Sequence, residues 1–92
     1  MASRKDYCKW ENVIKGAANH RRLEMLLLLS RKPGLSTENL VDELEINYHT
    51  GSQHARKLVR AGLVSGRREG SATLHFLTPL GKKILLFAQN IK

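Results

Sequence analysis

The side chains best suited to chemistry lie between Tyr48 and Arg60: Tyr48, His49, Thr50, Ser52, Gln53, Arg56, Lys57 and Arg60. Their types fit recognition of a patterned polyanion. The Gln53 amide can pair bidentately with adenine, and the Arg56 guanidinium with guanine. The hydroxyls of Thr50 and Ser52 suit a phosphate or a base edge, while Lys57 and Arg60 suit phosphate oxygens. No acidic residue occurs between Ile46 and Arg68, whereas an ordinary solvated helix face mixes signs. A second basic pair, Arg67 and Arg68, leads into a turn containing Gly70 and Ser71. Such a loop can lie along a nucleic-acid backbone or reach a minor groove.

The remaining reactive types do not assemble into a catalytic or metal-binding pattern. There is no phosphate loop, no nucleophile with a matched base and no carboxylate pair suited to a cleft. Ser52 and His54 are two apart on an expected helix and therefore point to different faces. His20, His49, His54, His75, Asp42 and Glu43 lack paired ligand spacing, so neither metal nor cofactor is implied. His54 is expected to pack or hydrogen-bond at the edge of a helix interface. Cys8 is the only cysteine, which rules out a disulfide within the chain and a thiolate zinc cluster.

The charge distribution agrees with a polyanionic partner. The chain of 92 residues carries 16 Lys and Arg against 8 Asp and Glu, a net charge of +8. Residues 1–45 hold eight basic and seven acidic side chains; residues 46–92 hold eight basic ones and a single acid, Glu69. A one-sided basic surface attracts polyanions and speeds encounter. A hydrophobic content of 41% with two prolines indicates a folded chain. Its length fits one domain, residues 1–92, with little room for an enclosed active site. No apolar run approaches the roughly 20 residues of a membrane span, and the start lacks a signal-peptide core. A cytoplasmic, nucleoid-associated protein that does not engage a membrane is expected.

Periodicity and capping supply the elements that must position these groups. Helices are expected over residues 5–17 and, after the N-cap Asn19, through the leucine-rich stretch ended by Lys32-Pro33-Gly34. Leu35 begins a short extended link. Ser36 caps a third helix reaching Glu45, and Asn47 caps a fourth from Tyr48 to Ala61, whose inward positions are Gly51, Ala55, Leu58 and Val59. Strands over 63–68 and 72–77 flank a turn at 69–71, with Leu63, Val64, Leu74 and Phe76 closing the core. Thr78-Pro79 opens a last helix within 78–91. The fold class is mainly α with a small β-hairpin, a winged helix-turn-helix of order α-α-α-α-β-β-α. The helix-turn-helix spans residues 36–62 and the wing 63–77.

Several stretches carry a family resemblance: His20-Arg21-Arg22-Leu23 with the leucine run, Ser52-Gln53-His54 followed by Leu58, Ala61-Gly62-Leu63-Val64, Arg67-Arg68-Glu69-Gly70, and Leu77-Thr78-Pro79-Leu80-Gly81. In order and spacing, from Asn19 to Gly81, they resemble the ArsR-like winged-helix transcriptional regulators. Three positions depart from the family pattern. Ala55 stands where leucine is usual, Glu45 where glycine is frequent, and Gly51 where valine is frequent. A helix glycine costs up to about 1 kcal/mol, so a loose start to the fourth helix is expected. The Leu40-Val41-Asp42-Glu43-Leu44 stretch contains no cysteine, so the thiol-based metal sensing of some members is not supported.

The resemblance implies sequence-specific binding of double-stranded DNA by a dimeric regulator. Trp10, Val13, Ile14, Ile84, Leu85, Phe87, Ala88 and Ile91 exceed what a small core needs and are the expected dimer interface. A two-fold pair would present two recognition helices about 34 Å apart. The alternative is a winged-helix module that binds protein or structured RNA. Salt dependence and sequence discrimination separate the two.

Overall fold

A computed structural model describes all 92 residues. The elements are α1 (Arg4–Ala17), α2 (His20–Arg31), β1 (Leu35–Ser36), α3 (Thr37–Leu44), α4 (Tyr48–Arg60), β2 (Val64–Glu69), β3 (Ala72–Leu77) and α5 (Pro79–Gln89). This is the expected winged helix-turn-helix with one addition. The link at Leu35 is a two-residue strand that pairs with β3, giving an antiparallel sheet of order β1-β3-β2.

Local chemistry sets most of the boundaries. Ser3 and Asp6 form a reciprocal capping box at α1. The Asn19 side chain accepts from the backbone N–H groups of Arg21 and Arg22. Ser36 caps α3 through the Asn39 N–H and Asn47 caps α4 through the Thr50 N–H. α3 closes through Glu45, whose left-handed backbone (φ 54°) lets the Ile46 N–H reach the Val41 carbonyl. That explains a position where glycine is the easier residue.

The core is built around α2, whose Met25, Leu26 and Leu29 are fully buried against Leu40, Leu58, Leu63, Val64 and Leu85. α3 grips α4 closely at Gly51, where a Cβ would run into the Val41 side chain. Gly51 thus lies in regular helix and is explained by packing. Ala55 and Leu58 are buried as expected, but Val59 is exposed. Counted at about 100° per residue, Val59 falls beside Tyr48 and Ser52, away from the core stripe.

Strand alternation corrects the expected core of the wing. Leu63 and Val64 are buried, but the residue of β3 beneath the hairpin is His75, at 3% exposure. Leu74 and Phe76 point to the opposite face and are only half-buried. His75 donates through Nδ1 to the Leu35 carbonyl at 3.0 Å, fastening β1 to β3. At the base of the wing, the Thr78 hydroxyl donates to the Gly62 carbonyl at 2.7 Å and accepts from the Gly81 N–H at 3.0 Å. This ties the end of α4 to the start of α5.

Candidate nucleic-acid interface

Three elements converge on one cleft. α4 supplies Tyr48, Ser52, Arg56, Val59 and Arg60, and the wing supplies Arg68, Ser71 and Thr73. The α3 N-terminus contributes Ser36, Thr37 and Glu38 to the same space of about 760 Å³. Steps of four along α4 (48, 52, 56 and 60) keep side chains on one flank of the helix. The Arg56 guanidinium donates to the Ser52 hydroxyl at 3.3 Å, which steers it along the helix surface. Gln53, His49 and Lys57 are also exposed, but they lie outside the cleft, on the crest and the far flank of α4. Thr50 is exposed in the first turn.

The two arginines of the wing separate. Arg68 sits opposite Thr73 and shares the face of Val64, Gly66 and His75, so it looks into the cleft. Arg67 sits opposite Leu74 on the other face. Its guanidinium lies 4.8 Å from the centroid of the Phe76 ring and 3.8 Å from the Glu69 carboxylate. Of the basic pair expected to follow a nucleic-acid backbone, only Arg68 faces the cleft beside α4; the one-residue step along a strand turns Arg67 away, which corrects that expectation for Arg67.

Sequence reasoning missed Ser36, Thr37, Glu38, Val59 and Thr73 as neighbours of this cleft. The signal at Ser36-Thr37 was present: a capped helix N-terminus presents backbone N–H groups and a positive dipole end. Glu38 also brings a carboxylate to the rim that the acid-free stretch of α4 did not reveal.

The far side of α4 is anchored by a buried cation. Arg22 is 8% exposed, and its Nη1 lies 3.2 Å from His54 Nδ1. Arg22 Nη2 donates to the Lys15 carbonyl at 3.3 Å. Burial, then the charges of Arg22, Lys57, His20 and Arg21, push the His54 pKa below its usual value. A neutral His54 can accept the Arg22 hydrogen bond through Nδ1. His54 thus occupies the helix-interface edge anticipated for it. No group of three or more His, Cys, Asp or Glu side chains comes together in a form that could hold a metal ion.

The residues expected at a dimer interface divide in two. Trp10, Ile14, Phe87 and Ile91 are exposed large apolar side chains. Leu85, at 7% exposure, belongs to the core, and Val13 and Ile84 pack against that core; Ala88 is half-buried. Leu85 is thus withdrawn from the surface set. Tyr7 and Leu86 are exposed and join it; Tyr7 meets Trp10 edge-on, with ring centroids 5.4 Å apart. No helix is long and apolar enough to cross a membrane.

This chain is similar to known proteins in both architecture and sequence. The model of the bacterial regulatory protein arsR family matches residues 19–65, from the cap of α2 into β2. The transcriptional activator HlyU of Vibrio cholerae is 34% identical over 74 residues, covering 80% of this chain and 68% of the relative. An uncharacterized HTH-type transcriptional regulator of Methanocaldococcus jannaschii is 30% identical over 71 residues, covering 77% of this chain and 80% of that protein. The solved structure of HlyU from Vibrio cholerae superposes with a TM-score of 0.79 at 31% identity, covering 95% of both chains. A homodimeric winged helix-turn-helix DNA-binding domain from Mycobacterium bovis, described as a possible ArsR-family transcriptional regulator, gives a TM-score of 0.81 at 27% identity. It covers 97% of this chain and 84% of that one. With a family match over half its length and these relatives, the chain belongs to the arsR family of bacterial regulatory proteins.

Proposed function

We propose that this protein regulates transcription by binding double-stranded DNA sequence-specifically as a two-fold dimer, and that it binds rather than catalyses. One observation carries the reading. The outward ridge of α4, with His49, Gln53, Arg56, Lys57 and Arg60, contains no acid and runs beside a cleft closed on its other wall by Arg68 of the wing. A helix of this kind fits the major groove, where Gln53 and Arg56 reach base edges. Tyr48, Thr50, Ser52, Lys57, Arg60, Arg68 and Ser71 hold sugar and phosphate and fix the register. The exposed Tyr7, Trp10 and Ile14 of α1, Leu86 and Phe87 of α5, and Ile91 just beyond α5 are the surfaces that pair two subunits. The Mycobacterium bovis domain, described as homodimeric and DNA-binding, supports a paired, DNA-binding form. Binding to the chromosome places the protein in the cytoplasm with the nucleoid.

The test is fluorescence anisotropy with a selected duplex and a random duplex. Gln53→Ala or Arg56→Ala should weaken specific binding by about 1–3 kcal/mol and relax base choice. Unchanged discrimination in both variants would remove the base-reading role of α4. Tighter binding to structured RNA than to any duplex would favour an interaction module instead.

A further inference from the structure

On the flank of α4 facing away from the wing lies a second recess, of about 500 Å³, lined by Asn12, Lys15, Arg22, Lys57 and Arg60. It exists because α1 and α4 touch at Gly16, where a Cβ would strike Ala61. Four of the lining side chains are cations and none is an acid. Arg22 is the notable member. It is more than nine-tenths buried, and its buried Nε has no hydrogen-bond partner. None of the chain's ion pairs includes Arg22. A buried charge ordinarily has a counter-charge; here the Lys15 carbonyl at the negative end of α1 supplies only part of one. Lys15 at the mouth is paired with the Glu11 carboxylate at 3.2 Å in an exposed i,i+4 pair. Such pairs are weak and free the ammonium readily.

We propose that this recess is a phosphate-class oxyanion site, distinct from the wing cleft although Arg60 borders both. Lys15, Lys57 and Arg60 supply the charge at its mouth, and Arg22 supplies the buried charge at its back. Two sources offer this chemistry: a free phosphate group, or a phosphate of the DNA strand on the far side of α4 from the wing. The second source rests on the DNA-binding reading, because a helix in the major groove has a phosphate strand on each flank. The site also reports on itself. Burial, and after it the charges of Arg22 and Lys57, hold His54 toward its neutral form, and an anion in the recess would offset the part due to those charges. The groups facing His54 are Arg21, Arg22 and His20 from α2 and Lys57 from α4.

The experiment follows the His54 ring and the amides of Gly16 and Ala61 by NMR. The full chain is titrated with sodium phosphate at ionic strength held constant by sodium chloride. Lys15→Gln and Lys57→Gln are measured alongside; both residues are exposed, so the fold survives. The expected result is a saturable shift of these signals, an upward move of the His54 pKa, and at least a several-fold weaker response in both variants. Shifts that chloride reproduces, or that Lys15→Gln leaves untouched, would overturn the proposal. A second arm measures the salt dependence of binding to a random duplex. If a DNA phosphate uses the recess, Lys15→Gln lowers the slope of log affinity against log salt by about 0.9. An unchanged slope together with retained phosphate shifts assigns the site to a free phosphate. The phosphate titration contains no DNA, so its failure is distinct from failure of duplex binding, which Arg56→Ala and Arg68→Ala report.

Discussion

Arg67 and Arg68 offer a test in which residue type and sequence position are held nearly constant while only the facing direction differs. Arg68 lines the cleft with Arg56 and Arg60; Arg67 lies against Phe76 on the other face of the hairpin. If the cleft holds a DNA backbone, Arg68 neutralises about one phosphate, and its loss removes about 0.9 from the slope of log affinity against log salt. Between about 50 and 200 mM salt, a fourfold change, that slope difference amounts to about half a log unit. The affinity advantage of the parent over Arg68→Ala should therefore shrink about threefold across this range. Arg67→Ala should leave the slope unchanged. Its cost should fall instead on the wing, where an exposed cation–π contact is worth about 0.5–1 kcal/mol, read as a lower urea midpoint. Anisotropy with a random duplex at four or five salt concentrations measures both slopes. A reduced slope in Arg67→Ala and a parental slope in Arg68→Ala would refute the assignment of faces.

Three further outcomes are expected. Gly51→Ala gains about 1 kcal/mol of helix propensity but forces a methyl into Val41; overpacking costs about 1–3 kcal/mol, so urea denaturation should show a net loss of up to about 2 kcal/mol. Because the folded-state pKa of His54 lies below its unfolded value of 6.5, the folded chain binds fewer protons there. Its contribution is present above pH 6.5 and is lost as pH falls through the lower folded-state value. His54→Asn should flatten that acid-side loss in denaturation curves, and an unchanged pH profile would count against it. Phe87, at 71% exposure, is not part of the core, so Phe87→Glu should leave the fold intact and convert a dimer to a monomer in light scattering. A parent that is already monomeric at high micromolar concentration would contradict the pairing surface.

Much of this architecture was legible because it is encoded by short-range chemistry. Asn19, Ser36, Asn47 and Thr78 each satisfy free N–H groups within three residues, so helix starts could be read one by one. The outward set on α4 followed from helical spacing. What escaped depends on partners distant in sequence. β1 is two residues long and is defined by pairing with His75 and Leu74, about 40 positions away. The face of each wing residue depends on register, and a one-residue step reverses it, which is why Arg67 and Arg68 could not be separated. In the run Ile84-Leu85-Leu86-Phe87, every position is apolar, so the pattern does not show that Leu85 turns inward and Leu86 outward. The burial of Arg22 required His54, 32 residues away.

The central claim is that the crest of α4 reads bases. The direct measurement is selection of bound duplexes from a random pool, performed with the parent and with Gln53→Ala. The account predicts that the parent enriches an inverted repeat whose half-sites lie about 10 base pairs apart. Gln53→Ala should lose preference at one adenine-containing position in each half-site while retaining the others. Enrichment of an identical consensus by both proteins, or of no consensus by the parent, would contradict it.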